Sequence, residues 1–153
     1  MKKTALIIAA SMCLMVPVLA RQPEPEYPTG RPKVRFAPLH IYVDSAERGL
    51  GAFQFELKAF GGQIKIVGVE GGEHAAFKEP GYYDPAALAN DRIIIAAFST
   101  ANELPSGRTR IATIHLQITG QVEPEYELEL AVAADADGQE IPAEITFETG
   151  EQK

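Results

Sequence analysis

Residues 51–72, GAFQFELKAFGGQIKIVGVEGG, decide the fold class. Phe53, Phe55, Leu57 and Ala59 alternate with Gln54, Glu56 and Lys58. That period of two puts four apolar side chains on one side of a strand and polar ones on the other. A helix would need repeats at three and four, and would carry several glycines at about 1 kcal/mol each. Residues 63–69 repeat the signal, Ile64 and Ile66 alternating with Gln63 and Lys65, and β-branched residues favour strands. The stretch reads as two strands joined at Gly61-Gly62.

Working outward, Val34 and Phe36 predict a first edge strand, and Leu39, Ile41 and Val43 then alternate with His40, Tyr42 and Asp44. Residues 73–91 lose all periodicity, and EPGYYDP carries the proline, glycine and aspartate of successive turns. Within them Asp84-Pro85 predicts one short helical turn, with Asp84 as cap and Pro85 in the first position. Residues 92–100, RIIIAAFST, are apolar on both parities. That pattern belongs to a strand covered on both sides, or to one whose outer face meets something. In residues 108–119 Ala112, Ile114, Leu116 and Ile118 are expected inward, with Thr113, His115 and Gln117 outward. Tyr126, Leu128, Leu130 and Val132 are expected inward against Glu127, Glu129 and Ala131. Asp137-Gly138 signals a β-hairpin, and Ile141, Ala143, Ile145 and Phe147 form the last strand. Eight to nine short strands with almost no helix mean an all-β sandwich of two antiparallel sheets.

The start of the chain has a different character. Lys2 and Lys3 precede a nearly unbroken apolar run to Leu19, and Val18-Leu19-Ala20 closes it with a small residue. This is the layout of a secretory signal peptide, shorter than the roughly 20 apolar residues of a membrane span. The expected organisation is a signal peptide (1–20) cleaved after Ala20, a proline-rich leader (21–32), one domain (33–149) and a short tail (150–153). The product is secreted or periplasmic, with no membrane span after cleavage. Cys13 is the single cysteine, so the mature domain folds without disulfides. With Lys2 and Lys3 removed and no acid lost, the formal net charge of −7 becomes −9, which argues against nucleic acid as a partner.

Catalytic chemistry finds little in this chain. His40 and His115 occupy outward strand positions and His74 a loop, with no neighbours in sequence that would orient them. Glu127 and Glu129 lie two apart on one strand face, about 6.6 Å, within the range of an inverting glycosidase pair. On an open strand surface they lack the apolar pocket such a pair needs and read as a solvated stripe. A calcium loop opened by Asp135 would place Thr146 where a bidentate glutamate is required. No metal-ligand set and no cofactor is read. Tyr42, Tyr82 and Tyr83 are the candidate sugar-stacking platforms, since the chain has no tryptophan.

The order of these pieces resembles the cohesin domain family, within the carbohydrate-binding-module-like jelly rolls. LHIYVDSAERGLGAFQFELKA, IKIVGVEGG, DRIIIAAFST and GRTRIATIHLQITG carry the resemblance, which spans residues 34–147. It implies a nine-stranded jelly roll without catalytic activity that binds dockerins, small calcium-loaded helical modules, on one flat sheet face. The face would include the strands matching residues 51–60 and 92–100. The chain differs from dockerin-binding cohesins in having Ala52 and Gln54 where those carry Asn and Asp. It has Thr100 where they carry an acid, and Phe60-Gly61-Gly62 in place of an Asp-Pro step. The family pattern also turns Phe98 inward, which puts Ile93, Ile95, Ala97 and Ser99 outward.

These readings define an exported, non-catalytic binding module. Its leading partner is another protein, with a dockerin-like module as the kind the resemblance implies, met through Gln54, Glu56, Lys58, Ile95, Ala97, Ser99 and Thr100. The alternatives are a carbohydrate-binding module that meets polysaccharide through Tyr42, Tyr82 and Tyr83, or a structural envelope protein.

Overall fold

Each alternating stretch becomes a strand, and the strands are β1 (Val34–Asp44), β2 (Ala52–Phe60), β3 (Gln63–Gly71), β4 (Arg92–Phe98), β5 (Arg108–Thr119), β6 (Glu125–Ala134) and β7 (Glu144–Thr149). The computed structural model describes Gly30 and residues 32–150. The expected signal peptide, the leader apart from Gly30 and Pro32, and residues 151–153 lie outside the described residues. One sheet has the order β3-β5-β1-β7 and the other β4-β2-β6, and every pairing is antiparallel. The chain is an all-β sandwich, with seven strands among the described residues rather than eight to nine.

One local feature lowers the number, and another shortens the last strand. The expected edge strand at Val34 and Phe36 is continuous with the next, so β1 runs eleven residues and lies inside its sheet between β5 and β7. Pro38 does not break it. Its carbonyl accepts from Gly150 just past the end of β7, so the donor it lacks is wanted by no strand there. At the other end Pro142 delays β7 until Glu144, leaving Ile141 as a buried anchor outside the strand.

Odd-numbered strands form one sheet and even-numbered strands the other. Consecutive strands therefore never pair, and each connection crosses the sandwich. The turn at Gly61-Gly62, with Gly61 at φ +88, is a corner between sheets and not a hairpin. Strand β2 pairs with β4 and β6, while β3 pairs with β5. A topology in which every ladder joins distant segments predicts slow folding, in the millisecond-to-second range of β-sandwiches.

Facing apolar rows make the core. Phe53, Phe55, Leu57 and Ala59 are buried as expected, and Leu39, Ile41, Val43, Ile114, Leu116 and Ile118 meet them from the other sheet. Three bulges shift the parity of the long strands. Ile111 is the extra residue of β5 against β1, so the inward parity passes from Thr109 and Ile111 to Ala112 and Ile114. Val67 is the extra residue of β3 and Ala131 that of β6. Each bulge reverses which face later residues address. Thr113 stays on the outer face but is 2% exposed, because His40 Nδ1 at 2.9 Å and an Arg110 donor at 2.7 Å close over its hydroxyl.

The segment between β3 and β4 is held closely. Gly71 passes so near the returning chain that a Cβ would lie 2.1 Å from the carbonyl oxygen of Lys78. Phe77 is buried, with its ring 5.1 Å from that of Phe53. The expected turn exists as a 3-10 helix at Pro85–Ala87, and Asp84 Oδ1 accepts from the Ala86 N–H at 2.9 Å.

The turn after β6 depends on Asp135. Its Oδ1 accepts from the N–H groups of Gln139 and Asp137, and Oδ2 lies 2.9 Å from Arg48. The Gln139 hydrogen bond foremost holds this carboxyl below the usual range, helped by Asp137 and Arg48 and opposed by burial. A pKa depressed in the folded state gives stability that is complete above the unfolded aspartate pKa and lost as pH falls through the folded value. Asp135→Asn keeps an oxygen acceptor but does not titrate here. Its urea midpoint should fall less than that of wild type between neutrality and about pH 3.

Candidate functional site

The outer face of the β4-β2-β6 sheet divides into an apolar end and a charged end. Cross-strand neighbours share a face, so register fixes its composition. Phe98 lies beside Ala52, Ala96 beside Gln54, Ile94 beside Glu56 and Arg92 beside Lys58. On the far side Val132 lies beside Gln54, Glu129 beside Glu56 and Glu127 beside Lys58.

This register reverses the parity expected for β4. Ile93 and Ile95 stand opposite Leu57 and Phe55, which point into the core, so both isoleucines are buried, at 1% and 0% exposure. Ala97 packs against the core and Ser99 is half-buried. Ile94 and Phe98 face outward, at 44% and 72% exposure. Ile95 and Ser99 are therefore not on the platform, while Ala97 lines the depressions beside Phe98 yet packs against the core, so a substitution there tests folding as well as binding. Thr100 is exposed but lies past the strand. Gln54, Glu56 and Lys58 do sit on the outer face, as expected. Arg92 carries the signal for the outer parity. It shares the parity of Ile94, Ala96 and Phe98, and a charged residue on a strand's first position marks the solvent side.

Val132 is a second addition to the face. It was expected inward, but the Ala131 bulge turns it out, and it is 43% exposed. Tyr82 is the third. Its N–H donates to the Ala96 carbonyl at 2.7 Å, and its carbonyl accepts from the Ala96 N–H at 2.9 Å. One residue of the long loop thus extends the row of Ala96, Gln54 and Val132, with its ring 81% exposed. Tyr82, Phe98 and Val132 surround a depression of about 340 Å³ over Ala52, Ala96 and Gln54. A smaller one of about 230 Å³ lies on the other side of Phe98, against Phe77 and Pro80.

At the charged end the bases are already engaged. Arg92 hydrogen-bonds Glu56, and Lys58 Nζ lies 3.5 Å from Glu56 and 3.6 Å from Glu127. The Arg92 hydrogen bond foremost holds the Glu56 carboxyl below its usual range, with burial opposing. Exposed pairs of this kind add little stability.

The tyrosines expected to act together are separated. Tyr42 lies on the outer face of the other sheet, with the Arg108 guanidinium stacked 3.6 Å from its ring centre. Tyr83 packs against the core. Only Tyr82 offers a free ring, and it joins the platform that the sequence assigned to protein binding. The histidines each have their own neighbour: Thr113 for His40, the Ala76 N–H for His74 and Glu70 for His115. The last is 2.9 Å away but not aligned for a hydrogen bond. Among the described residues no group of three or more His, Cys, Asp or Glu is placed to hold a metal ion, and no helix is long and apolar enough to cross a membrane. Comparison with protein families, curated proteins and solved structures finds no match for this chain.

Proposed function

We propose that this domain is an exported, non-catalytic module that binds another protein through the apolar end of the β4-β2-β6 face. The observation that carries the reading is the cluster of Phe98, Tyr82, Ile94 and Val132, all exposed and joined by register across Ala96 and Ala52. Contiguous apolar surface with a polar rim is costly to leave in water and is typical of an interaction patch. The resemblance to cohesins points to the same sheet face, although the residues on it are not the short polar ones of dockerin binders.

Phe98→Arg is the test, because the side chain stands in solvent and its loss leaves the core untouched. Immobilised wild type should retain a defined secreted protein. Phe98→Arg should weaken that complex about thirtyfold or more, the scale of an aromatic hot spot, while Tyr42→Ala should not change it. Equal recovery by wild type and Phe98→Arg would sink the reading. The exposed rings of Tyr82 and Phe98 favour one alternative, stacking on the faces of a sugar. Retardation in gels containing polysaccharide, with no protein retained, would put that reading first.

A further inference from the structure

Strand β6 ends its sheet with an open hydrogen-bonding edge. Ala96 turns its N–H and C=O to Tyr82 and so away from β2. In an antiparallel ladder, alternate residues direct both backbone groups to the same side. Ile94 and Arg92 therefore also turn away from β2, and their β2 neighbours Glu56 and Lys58 turn toward β6. Glu129 and Glu127, opposite them, turn back toward β2. That leaves the N–H and C=O groups of Tyr126, Leu128 and Leu130 pointing off the sheet. Among the described residues none of these has a backbone partner beyond the strand.

The neighbouring strand does not close this edge. β7 ends the other sheet, and its Phe147 ring packs against Tyr126, 5.3 Å between centres. Along the seam Tyr126, Leu128, Leu130 and Ile145 are only partly buried, and Phe147 is 38% exposed. The side chains of β6 alternate strictly here. Glu125, Glu127 and Glu129 face out, and among the described residues only Glu127 of the three has an ion pair, with Lys58.

We infer that the β6 edge accepts an extended segment of another protein whose residues alternate apolar and basic. Main-chain hydrogen bonds to Tyr126, Leu128 and Leu130 join it to the sheet. Its apolar residues cover the half-open seam, and its lysines or arginines lie beside the glutamates. A second copy's β6 is excluded by the same alternation, because glutamate would stand opposite glutamate. The stripe thus repels self-pairing and selects a basic partner. This site is distinct from the Phe98 platform.

The probe is a short synthetic peptide alternating lysine and valine. Its controls are a glutamate–valine peptide, a lysine–valine peptide of scrambled order, and the alternating peptide N-methylated at every second residue. The alternating peptide should bind and slow amide exchange at Tyr126, Leu128 and Leu130. N-methylation at the valines, whose N–H groups face β6 in an antiparallel ladder, removes donors without touching the protein and should abolish that protection, and the glutamate peptide should not bind. Glu129→Lys should weaken the complex about tenfold, whereas Phe98→Arg should leave it unchanged, which separates this site from the platform. Equal binding by the scrambled peptide, or unaltered exchange at those three amides, would overturn the inference.

Discussion

Phe55→Ala is expected to lower the free energy of unfolding by about 3–5 kcal/mol, the range for truncating a buried aromatic. Phe55 is completely buried in the middle of β2, between Ile95 on one side and Leu130 on the other. Its ring stacks 6.1 Å from that of Phe53. Strand β2 is held by ladders on both sides, so little collapse into the cavity is possible. Glu56→Ala, one residue on, should cost less than about 0.5 kcal/mol, because it removes only exposed ion pairs with Arg92 and Lys58. Urea melts of the two variants would decide the register of β2, and equal destabilisation would contradict it.

Ile95→Lys is expected to unfold the domain, at a cost above about 4 kcal/mol, since nothing around the site pairs a buried ammonium. Ile95 has no exposed surface and faces Phe55. Ile94→Lys should change stability by less than about 1 kcal/mol. Its outward side chain stands in the row of Glu56 and Glu129, which receive a positive charge without penalty. Two adjacent substitutions of the same kind thus have opposite consequences. If Ile94→Lys were the damaging one, Phe98 would point inward and the platform described above would not exist. Thermal melts by circular dichroism are sufficient to tell.

The same pair of residues shows where reading the chain stops. In β2 the polar residues fall on one parity, so inward and outward sides were legible without any structure. In β4 isoleucine occupies three consecutive positions, and apolarity alone does not choose a face. The cohesin pattern turns Phe98 inward, the reverse of its position in β4, whereas the charge on Arg92 marks the outer face correctly. Val132 was misplaced for a different reason. The residues around Ala131 continue the alternation, and only pairing against Gln54 and Phe55 inserts the bulge.

By itself the sequence determined that the chain forms strands, which residues of β2 line the core, and that the domain is acidic. Those properties are local, because period-two patterning, β-branching and charge act within a few residues. The tertiary structure alone decided which strands meet. Every consecutive pair is split between the two sheets, so the turn at Gly61-Gly62 looks like a hairpin in sequence and acts as a corner in space. The platform follows from that pairing. Tyr82, Ala96, Gln54 and Val132 come from four separate segments, and only long-range hydrogen bonding places them in one row.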